Sequence, residues 1–149
     1  MLMLFAVTYR FPVGPLKTIK QFLVDALGPP LAECRSYDMA WVAFLAGFSE
    51  ELMFRGVIQT WLTPAGWIVG LLASNALFGL AHAVTPTYAV LAGLMGVYLG
   101  LIYEFAGHNL TVPVVTHSVY DLAAFFVVRH SFCLQRRSSE SSQINPPDP

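Results

Sequence analysis

The chain has 149 residues, of which 56% are hydrophobic and only 11% are charged, and its formal net charge is -1. Soluble domains average about 25% charged residues, so this composition excludes an ordinary soluble fold and predicts an integral membrane protein. The near-neutral charge also argues against a nucleic-acid partner, because binding phosphate requires a concentrated basic surface.

Residues 1–37 are predicted to be an N-terminal flank that contains one amphipathic helix. Met1–Tyr9 is apolar, but it is too short to span a bilayer, which takes roughly 17 to 25 residues. Between Leu16 and Leu27, apolar residues recur at helical spacing beside charged ones, a pattern typical of a helix lying in the membrane interface. Gly28-Pro29-Pro30 is predicted to end this helix.

Four apolar stretches follow, each long enough to span a bilayer, and they predict an all-α, polytopic transmembrane bundle. Short breaks containing Pro or Gly separate the stretches, so each helix should run antiparallel to its predecessor. The predicted spans are 38–62, 65–83, 86–106 and 111–134. Residues 38–134 thus form the predicted transmembrane core, and 135–149, where Ser and Pro accumulate, the predicted disordered cytoplasmic tail.

The basic residues predict the orientation of the bundle. Of the eight Lys and Arg residues, seven lie before the first predicted span or at the end of the last one, and only Arg55 lies elsewhere, inside a predicted helix. Lys and Arg accumulate in short flanks on the cytoplasmic side of a membrane. Both termini are therefore predicted to be cytoplasmic.

The first predicted span contains three charged residues where a membrane helix should carry none. Glu51 and Arg55 are four residues apart with the acid first, so they can form an ion pair along one helix face. Glu50 points to another face and has no such local partner. Ionisable groups at this depth are costly and usually mark a functional site, so Glu50 is a candidate general base.

Two further polar groups lie on other predicted spans. His82 ends the motif Phe-Gly-Leu-Ala-His, and His117 begins His-Ser-Val-Tyr-Asp, in which Asp121 lies one helical turn later. A lone His near a helix end is commonly only interfacial. Two histidines and an unpaired glutamate on separate helices of a small bundle are much harder to explain by packing.

These motifs resemble those of the CPBP or Abi family, which includes the Rce1-type prenyl-protein (CAAX) endopeptidases and bacteriocin-immunity relatives. The resemblance covers about residues 38–128 and consists of Glu-Glu-x-x-x-Arg, Phe-x-x-x-His and His-x-x-x-Asp, in that order on successive spans. It implies an intramembrane endopeptidase acting on prenylated CAAX-type or other membrane-associated peptides.

The resemblance also implies roles for individual residues. Glu50 with His82 would activate a water for attack on a peptide carbonyl, and Glu51 with Arg55 would support them. His117 would stabilise the developing oxyanion. Asp121 stands where the prenyl proteases often have Asn; because an ionised Asp would repel an oxyanion, it is expected to orient or protonate His117 or to be neutral.

Three alternatives remain open at the level of the sequence. Glu50, His82, His117 and Asp121 are also legitimate zinc ligands, so a metal-dependent protease is the rival to a cofactor-free one. A non-proteolytic immunity or scaffold protein could keep the same polar cluster for folding or binding. Small residues on the second and third spans suit close helix packing within one chain or between copies, so a homo-oligomer is also considered.

Overall fold

The computed structural model describes residues 14–144, and in this part of the chain all regular secondary structure is helical, without a strand. The predicted all-α class is therefore confirmed, while Met1–Tyr9 lies outside the described residues. The helices are α1 (Pro15–Glu33), α2 (Ser36–Glu51), α3 (Trp67–Ala81), α4 (Pro86–Phe105) and α5 (Thr111–Ile144). A π-helical segment, Leu52–Gln59, and a short α-helical turn, Thr60–Leu62, continue α2 without a break.

The helices from α2 to α5 form an antiparallel bundle. Gly79 near the end of α3 lies against Ala89 near the start of α4, and Gly96 further along α4 lies against Asn75. A Cβ added to Gly79 would stand only 2.6 Å from the carbonyl oxygen of Ala89, so the backbones of α3 and α4 approach as closely as glycine permits. The small residues seen in the sequence thus pack helices within this chain.

The structure does not confirm four spans. Only α4 and the part of α5 up to Ser141 are long and apolar enough to cross a membrane among residues 14–144. α3 is apolar but has 15 residues, and α2 with its continuation carries the charged residues of the first predicted span. The number of helices suited to span a membrane therefore falls from the predicted four to two, because α2 with its continuation is charged and α3 is short.

The two long apolar helices expose most of their surface. In α4, 28% of the most apolar 18-residue stretch is buried inside the protein, and in α5 the corresponding value is 22%. The core helix of a soluble protein would be mostly buried, whereas these helices present large side chains such as Val90, Leu94 and Val115 outward. Such an apolar outer surface is suited to lipid.

Helix α1 extends beyond the end predicted for the amphipathic helix at Gly28-Pro29-Pro30. It continues through Pro29 and Pro30 to Glu33 and packs along α5, where a Cβ on Gly28 would overlap the ring of Phe132. Val24 and Leu31 share a buried cluster with Met39 and Val128. This packing holds the last turns of α1 together although the two prolines each lack an N–H donor.

The contacts of α1 also give its direction. Gly28 lies beside Phe132, while residues nearer the start of α1 lie beside residues nearer the start of α5, so these two helices run the same way. Because α2 runs against α5, with Met39 near Val128 and Gly47 near Ser118, the α1–α2 turn is at the end of the bundle where α5 emerges.

The C-terminal part of α5 is longer than the last predicted span. The helix continues to Ile144, so residues 135–144, predicted to begin a disordered tail, are helical. An ion pair between Arg136 and Glu140, with 3.2 Å between Nε and Oε1, links successive turns there. Residues 145–149 lie outside the described part of the chain.

Candidate active site

The structure brings together the four residues that the sequence nominated for catalysis. Glu50 on α2 lies between two histidines: its Oε2 atom is 3.8 Å from Nε2 of His82 at the end of α3 and 3.8 Å from Nε2 of His117 on α5. Asp121, one turn after His117, places Oδ2 3.6 Å from the same Nε2 atom. Three helices thus contribute to one polar cluster.

His82 reaches this cluster because α3 stops at the depth of Glu50. The helix ends at Ala81, and His82 occupies its C-cap. The ring Nδ1 lies 2.9 Å from the carbonyl oxygen of Phe78. A carbonyl oxygen can only accept, so Nδ1 carries the proton, and the Nε2 of a neutral His82 presents a lone pair toward Glu50.

His117 is held by the supporting acid rather than by the candidate base. Its Nδ1 lies 2.8 Å from Oε1 of Glu51, and the same oxygen accepts a hydrogen bond from Nη1 of Arg55 at 2.9 Å. The structure therefore contains the Glu51–Arg55 pair that the spacing predicted, and both side chains are fully buried. One carboxylate orients a histidine and neutralises a cation at the same time.

Arg55 has two further partners that the sequence analysis did not identify. Its Nη2 donates to Oδ1 of Asn75 at 2.9 Å and to the carbonyl oxygen of Gly96 at 2.6 Å. Asn75 in turn donates from Nδ2 to the carbonyl oxygen of Leu71. Asn75 is a polar residue in the middle of an apolar helix, and this position in the sequence could have identified it as a candidate.

Phe78 separates the buried cation from the histidines. The guanidinium carbon of Arg55 lies 4.9 Å from the centre of the Phe78 ring, and the His82 ring stacks on the same phenyl group with 4.5 Å between centroids. Phe54 meets it edge-on at 4.9 Å. The first residue of the Phe-x-x-x-His motif thus fixes the ring plane of the last one.

The π-helical segment begins directly after Glu51. Within it the buried side chains are Phe54, Arg55 and Gln59, while Leu52, Met53 and Val57 are exposed. The wider turn leaves Thr60 to donate from Oγ1 to the carbonyl oxygen of Arg55, five residues earlier. π-helical turns inside α-helices are frequent at functional sites, and this one carries the buried arginine.

A cavity of about 370 Å³ opens beside the polar cluster. His82, His117 and Asp121 line one part of it, and aliphatic and aromatic side chains line most of the rest. α1 contributes one wall through Ile19, Lys20 and neighbouring leucines. Such a volume with few polar groups is typical of a pocket for a small or partly apolar ligand.

A second polar cluster lies toward the other end of α4. Gln59, fully buried, donates from Nε2 to Oε1 of Glu104 at 2.9 Å, and Oε2 of Glu104 lies 2.9 Å from Nε2 of His108. His108 is 56% exposed in its side chain, and none of the three lines the cavity. This cluster ties α4 to the π-helical segment and is separate from the candidate active site.

The arrangement of the candidate site suits proton transfer to and from a small molecule between Glu50 and the histidines. The 3.8 Å separations are too long for direct hydrogen bonds, so Glu50 and the histidines keep these atoms for a small polar molecule that can reach two of them at once. Among residues 14–144, no three His, Cys, Asp or Glu side chains are grouped closely enough to hold a metal ion as they stand.

The fold and the site define an all-helical membrane protein with a glutamate and two histidines at its core. Residues 35–123 match the family model described as type II CAAX prenyl endopeptidase Rce1-like. The match covers more than half of the chain, which therefore belongs to the Rce1-like family, a membrane-embedded family of proteases.

One curated relative has no assigned activity. The chain is 29% identical over 107 residues to the uncharacterized protein YpbD of Bacillus subtilis (strain 168), a match that covers 70% of this chain and 51% of YpbD. The chain thus spans about half the length of this relative. No solved structure is significantly similar to this chain.

Proposed function

We propose that the protein is an intramembrane endopeptidase that hydrolyses a peptide bond with a water activated by Glu50 and His82. The observation that carries the proposal is the convergence of three atoms, Oε2 of Glu50 and Nε2 of both His82 and His117, beside the cavity. Membership of the Rce1-like family supports the same reaction class.

Two acceptors would orient the attacking water. Oε2 of Glu50 is buried and accepts no hydrogen bond from a described residue, and the Nε2 lone pair of His82 faces the same point. A water that donates one proton to each acceptor directs its own lone pairs away from them. Those lone pairs are then available to attack a peptide carbonyl in the cavity.

The proton balance of the reaction follows from these positions. Glu50 takes a proton from the water as the oxygen bonds to the carbonyl carbon, and the carbonyl oxygen becomes an oxyanion. A protonated His117, with Nδ1–H already directed to Glu51, donates from Nε2 to that oxyanion. Collapse of the intermediate breaks the C–N bond, and the proton held by Glu50 passes to the leaving amine.

Asp121 is assigned to His117 rather than to the substrate. Its Oδ2 lies 3.6 Å from Nε2 of His117, and its side chain is 20% exposed toward the cavity. A carboxylate there favours the protonated imidazole and orients it, while direct contact with an oxyanion would be repulsive. Asp121 is therefore a positioning residue in the proposed mechanism.

The proposed substrate is a membrane-associated peptide, of the prenylated CAAX type that the family description names. The apolar lining of the cavity and the apolar outer surface of the helices would admit such a substrate from the lipid phase. The basic residues that flank the bundle support a multi-pass protein with both termini on the cytoplasmic side.

A metal-dependent reaction is the second candidate, because the same three atoms that converge on a water could converge on zinc. Two histidine nitrogens and one carboxylate are a known catalytic donor set, with Asp121 available as a fourth group. The measured 3.8 Å separations would have to shorten for one ion to be bound by all three.

The test is cleavage of a farnesylated CAAX reporter peptide by the purified full chain in detergent, with and without a strong zinc chelator. Glu50→Gln is the informative variant, and Glu33→Gln, an exposed glutamate at the end of α1, is its matched control. We expect the wild type and Glu33→Gln to cleave with the chelator present and Glu50→Gln to lose activity by at least about a hundredfold.

Three results would contradict the proposal in different ways. Loss of cleavage on adding chelator, with recovery on adding zinc, would establish the metal-dependent candidate. Full activity in Glu50→Gln would remove the glutamate from the mechanism. Absence of cleavage for prenylated and unprenylated peptides alike would favour a non-proteolytic role such as immunity or scaffolding.

A further inference from the structure

Tyr88 is a half-buried aromatic residue in the first turn of α4, next to the candidate active site. It lines the cavity together with His82, His117 and Asp121. Its ring meets the ring of His82 edge-on, with 6.3 Å between centroids and 74° between planes. Since His82 itself stacks on Phe78, the three rings form a continuous series that brings the phenol of Tyr88 to the polar part of the cavity.

The backbone that carries Tyr88 is held in place from two sides. Oγ1 of Thr85, the N-cap of α4, accepts a hydrogen bond from the N–H of Tyr88 at 3.1 Å, and Pro86 begins the helix with a φ suited to it. The carbonyl oxygen of Ala89 lies so close to Gly79 of α3 that a Cβ on Gly79 would stand 2.6 Å from it. The first turn of α4 is therefore fixed against the end of α3, and the Tyr88 side chain is preorganised.

The position of Tyr88 distinguishes it from the other phenols of the cavity. Among residues 14–144, three tyrosines line the cavity: Tyr88, Tyr98 and Tyr120. Tyr98 lies ten positions further along α4, about 15 Å at 1.5 Å per residue, and therefore away from the turn that carries His82. Tyr120 is already engaged with another group. Tyr88 is thus the phenol best placed to meet a group held between Glu50 and the histidines.

The oxyanion of the proposed reaction would form in acidic surroundings. Asp121 lies 3.6 Å from Nε2 of His117, the proposed donor, and both Asp121 and Glu50 act electrostatically on the phenol group of Tyr88. A negative oxygen near these carboxylates is stable only when preorganised donors point at it. His117 supplies one donor, whereas His82 presents a lone pair and an ionised Asp121 has no proton to donate. A second donor has to come from another residue.

We propose that the hydroxyl of Tyr88 is this second donor to the oxyanion, which makes Tyr88 a catalytic residue. The inference rests on the proposed peptidase function and adds one group to its mechanism. The phenol O–H donates a hydrogen bond to the carbonyl oxygen as negative charge develops there. Its proton stays on the phenol oxygen throughout, so the proton transfers through Glu50 are unchanged.

The first test is the kinetics of Tyr88→Phe, which removes the hydroxyl and keeps the ring against His82. We expect kcat for the reporter peptide to fall by about ten- to a hundredfold, the range for loss of one hydrogen bond to a charged group, with little change in KM or in the unfolding temperature. Tyr37→Phe is the matched control, because Tyr37 is exposed at the start of α2 and does not line the cavity.

Three results of this test would overturn the inference. An unchanged kcat would show that the hydroxyl has no part in the reaction. A change confined to KM would show that it acts on the bound substrate before charge develops. A fall in kcat that accompanies a lower unfolding temperature, or that Tyr37→Phe shares, would show that the hydroxyl supports the fold.

A double variant asks whether Tyr88 and Asp121 act on the same oxygen. Asp121→Asn removes a neighbouring negative charge and introduces an amide that can donate, so the hydroxyl of Tyr88 should matter less beside it. We expect Tyr88→Phe to reduce kcat by a smaller factor in the Asp121→Asn protein than in the wild type. Strictly additive losses would place the two side chains on different atoms and overturn the inference.

A binding measurement separates this inference from the proposed function. A phosphinate analogue of the reporter peptide carries a negative tetrahedral group where the oxyanion would form. Fluorescence anisotropy compares it with the parent peptide in the Glu50→Gln protein, which should bind both without turnover. We expect tighter binding of the phosphinate, and adding Tyr88→Phe should weaken that binding about ten- to a hundredfold while leaving the affinity for the parent peptide unchanged.

The two assays fail in different ways. Phosphinate binding that depends on Tyr88, without cleavage of any peptide, would support the donor and contradict the peptidase function. Cleavage by the wild type together with equal phosphinate binding in the presence and absence of the hydroxyl would leave the peptidase function standing and overturn the inference.

Discussion

His117 on α5 and Glu51 on α2 are joined by a buried hydrogen bond of 2.8 Å between Nδ1 and Oε1, across 66 positions of sequence. The glutamate that the sequence assigned to a supporting ion pair is therefore also the residue that orients the second histidine. Fold stability and site geometry depend on the same carboxylate.

Glu51→Gln should for this reason both lower the free energy of unfolding and abolish activity. Arg55 and His117 would lose a shared anion in fully buried surroundings, and breaking a buried ion pair from one side costs about 3 to 5 kcal/mol. The measurement is thermal unfolding in detergent together with reporter cleavage. Glu50→Gln, whose side chain is 30% exposed, should lose activity with little change in the unfolding temperature; equal destabilisation of both variants would contradict this division.

His82→Gln should retain more activity than His82→Asn. The ring Nδ1 is used by the carbonyl oxygen of Phe78, and Nε2 is the atom that faces Glu50. A Gln side chain can place an acceptor near the Nε2 position, whereas Asn reproduces only the position of Nδ1. Reporter cleavage should therefore fall further in His82→Asn, and the reverse order would show that Nδ1 is the functional nitrogen.

Asp121→Asn should keep activity within about tenfold of the wild type, a loss of no more than roughly 1.4 kcal/mol of transition-state stabilisation. The amide keeps a polar group of the same shape beside Nε2 of His117, which lies 3.6 Å from Oδ2 of Asp121, and Asn is common at this position in the prenyl proteases that the motif resembles. Asp121→Leu removes the acceptor and should reduce kcat far more than it changes KM. Comparable losses in the two variants would mean that the negative charge itself is required.

Gly96→Ala should destabilise the protein strongly. A Cβ at this position would overlap Oδ1 of Asn75 and lie 3.2 Å from Nη2 of Arg55, so it would displace the buried polar network. Gly56→Ala is the matched control, because its Cβ would meet nothing closer than 3.4 Å and alanine favours a helix by roughly 0.5 to 1 kcal/mol. Unfolding in detergent should separate the two, and equal unfolding temperatures would be inconsistent with the close approach of α3 and α4.

The residues that could be read from the sequence share one property: each is an ionisable group in an apolar helix. Glu50, His82, His117 and Asp121 were identified because a charge or imidazole at that depth requires a reason, and the structure brings them into one cluster. The Glu51–Arg55 pair could be predicted because both residues lie on one helix, where spacing alone fixes the contact.

What the sequence did not reveal depends on contacts between helices. The bond from Arg55 to the carbonyl oxygen of Gly96 involves a backbone group that has no signature in the residue type. The π-helical segment is also set by packing, because its local sequence is compatible with an ordinary α-helix. The predicted end of α1 at Gly28-Pro29-Pro30 is wrong for the same reason, because packing of Gly28 against Phe132 of α5 accompanies a helix that continues to Glu33.

The short third helix has a mechanical consequence for the surrounding bilayer. Fifteen residues at about 1.5 Å each cover roughly 22 Å, whereas a typical hydrocarbon core is about 30 Å thick. This hydrophobic mismatch is relieved if the lipid leaflet thins locally beside α3, at a cost of fractions of a kcal/mol per Å. Thinning on this flank would lower the headgroups toward His82, so the membrane itself would shorten the path by which water reaches Glu50, the proposed general base.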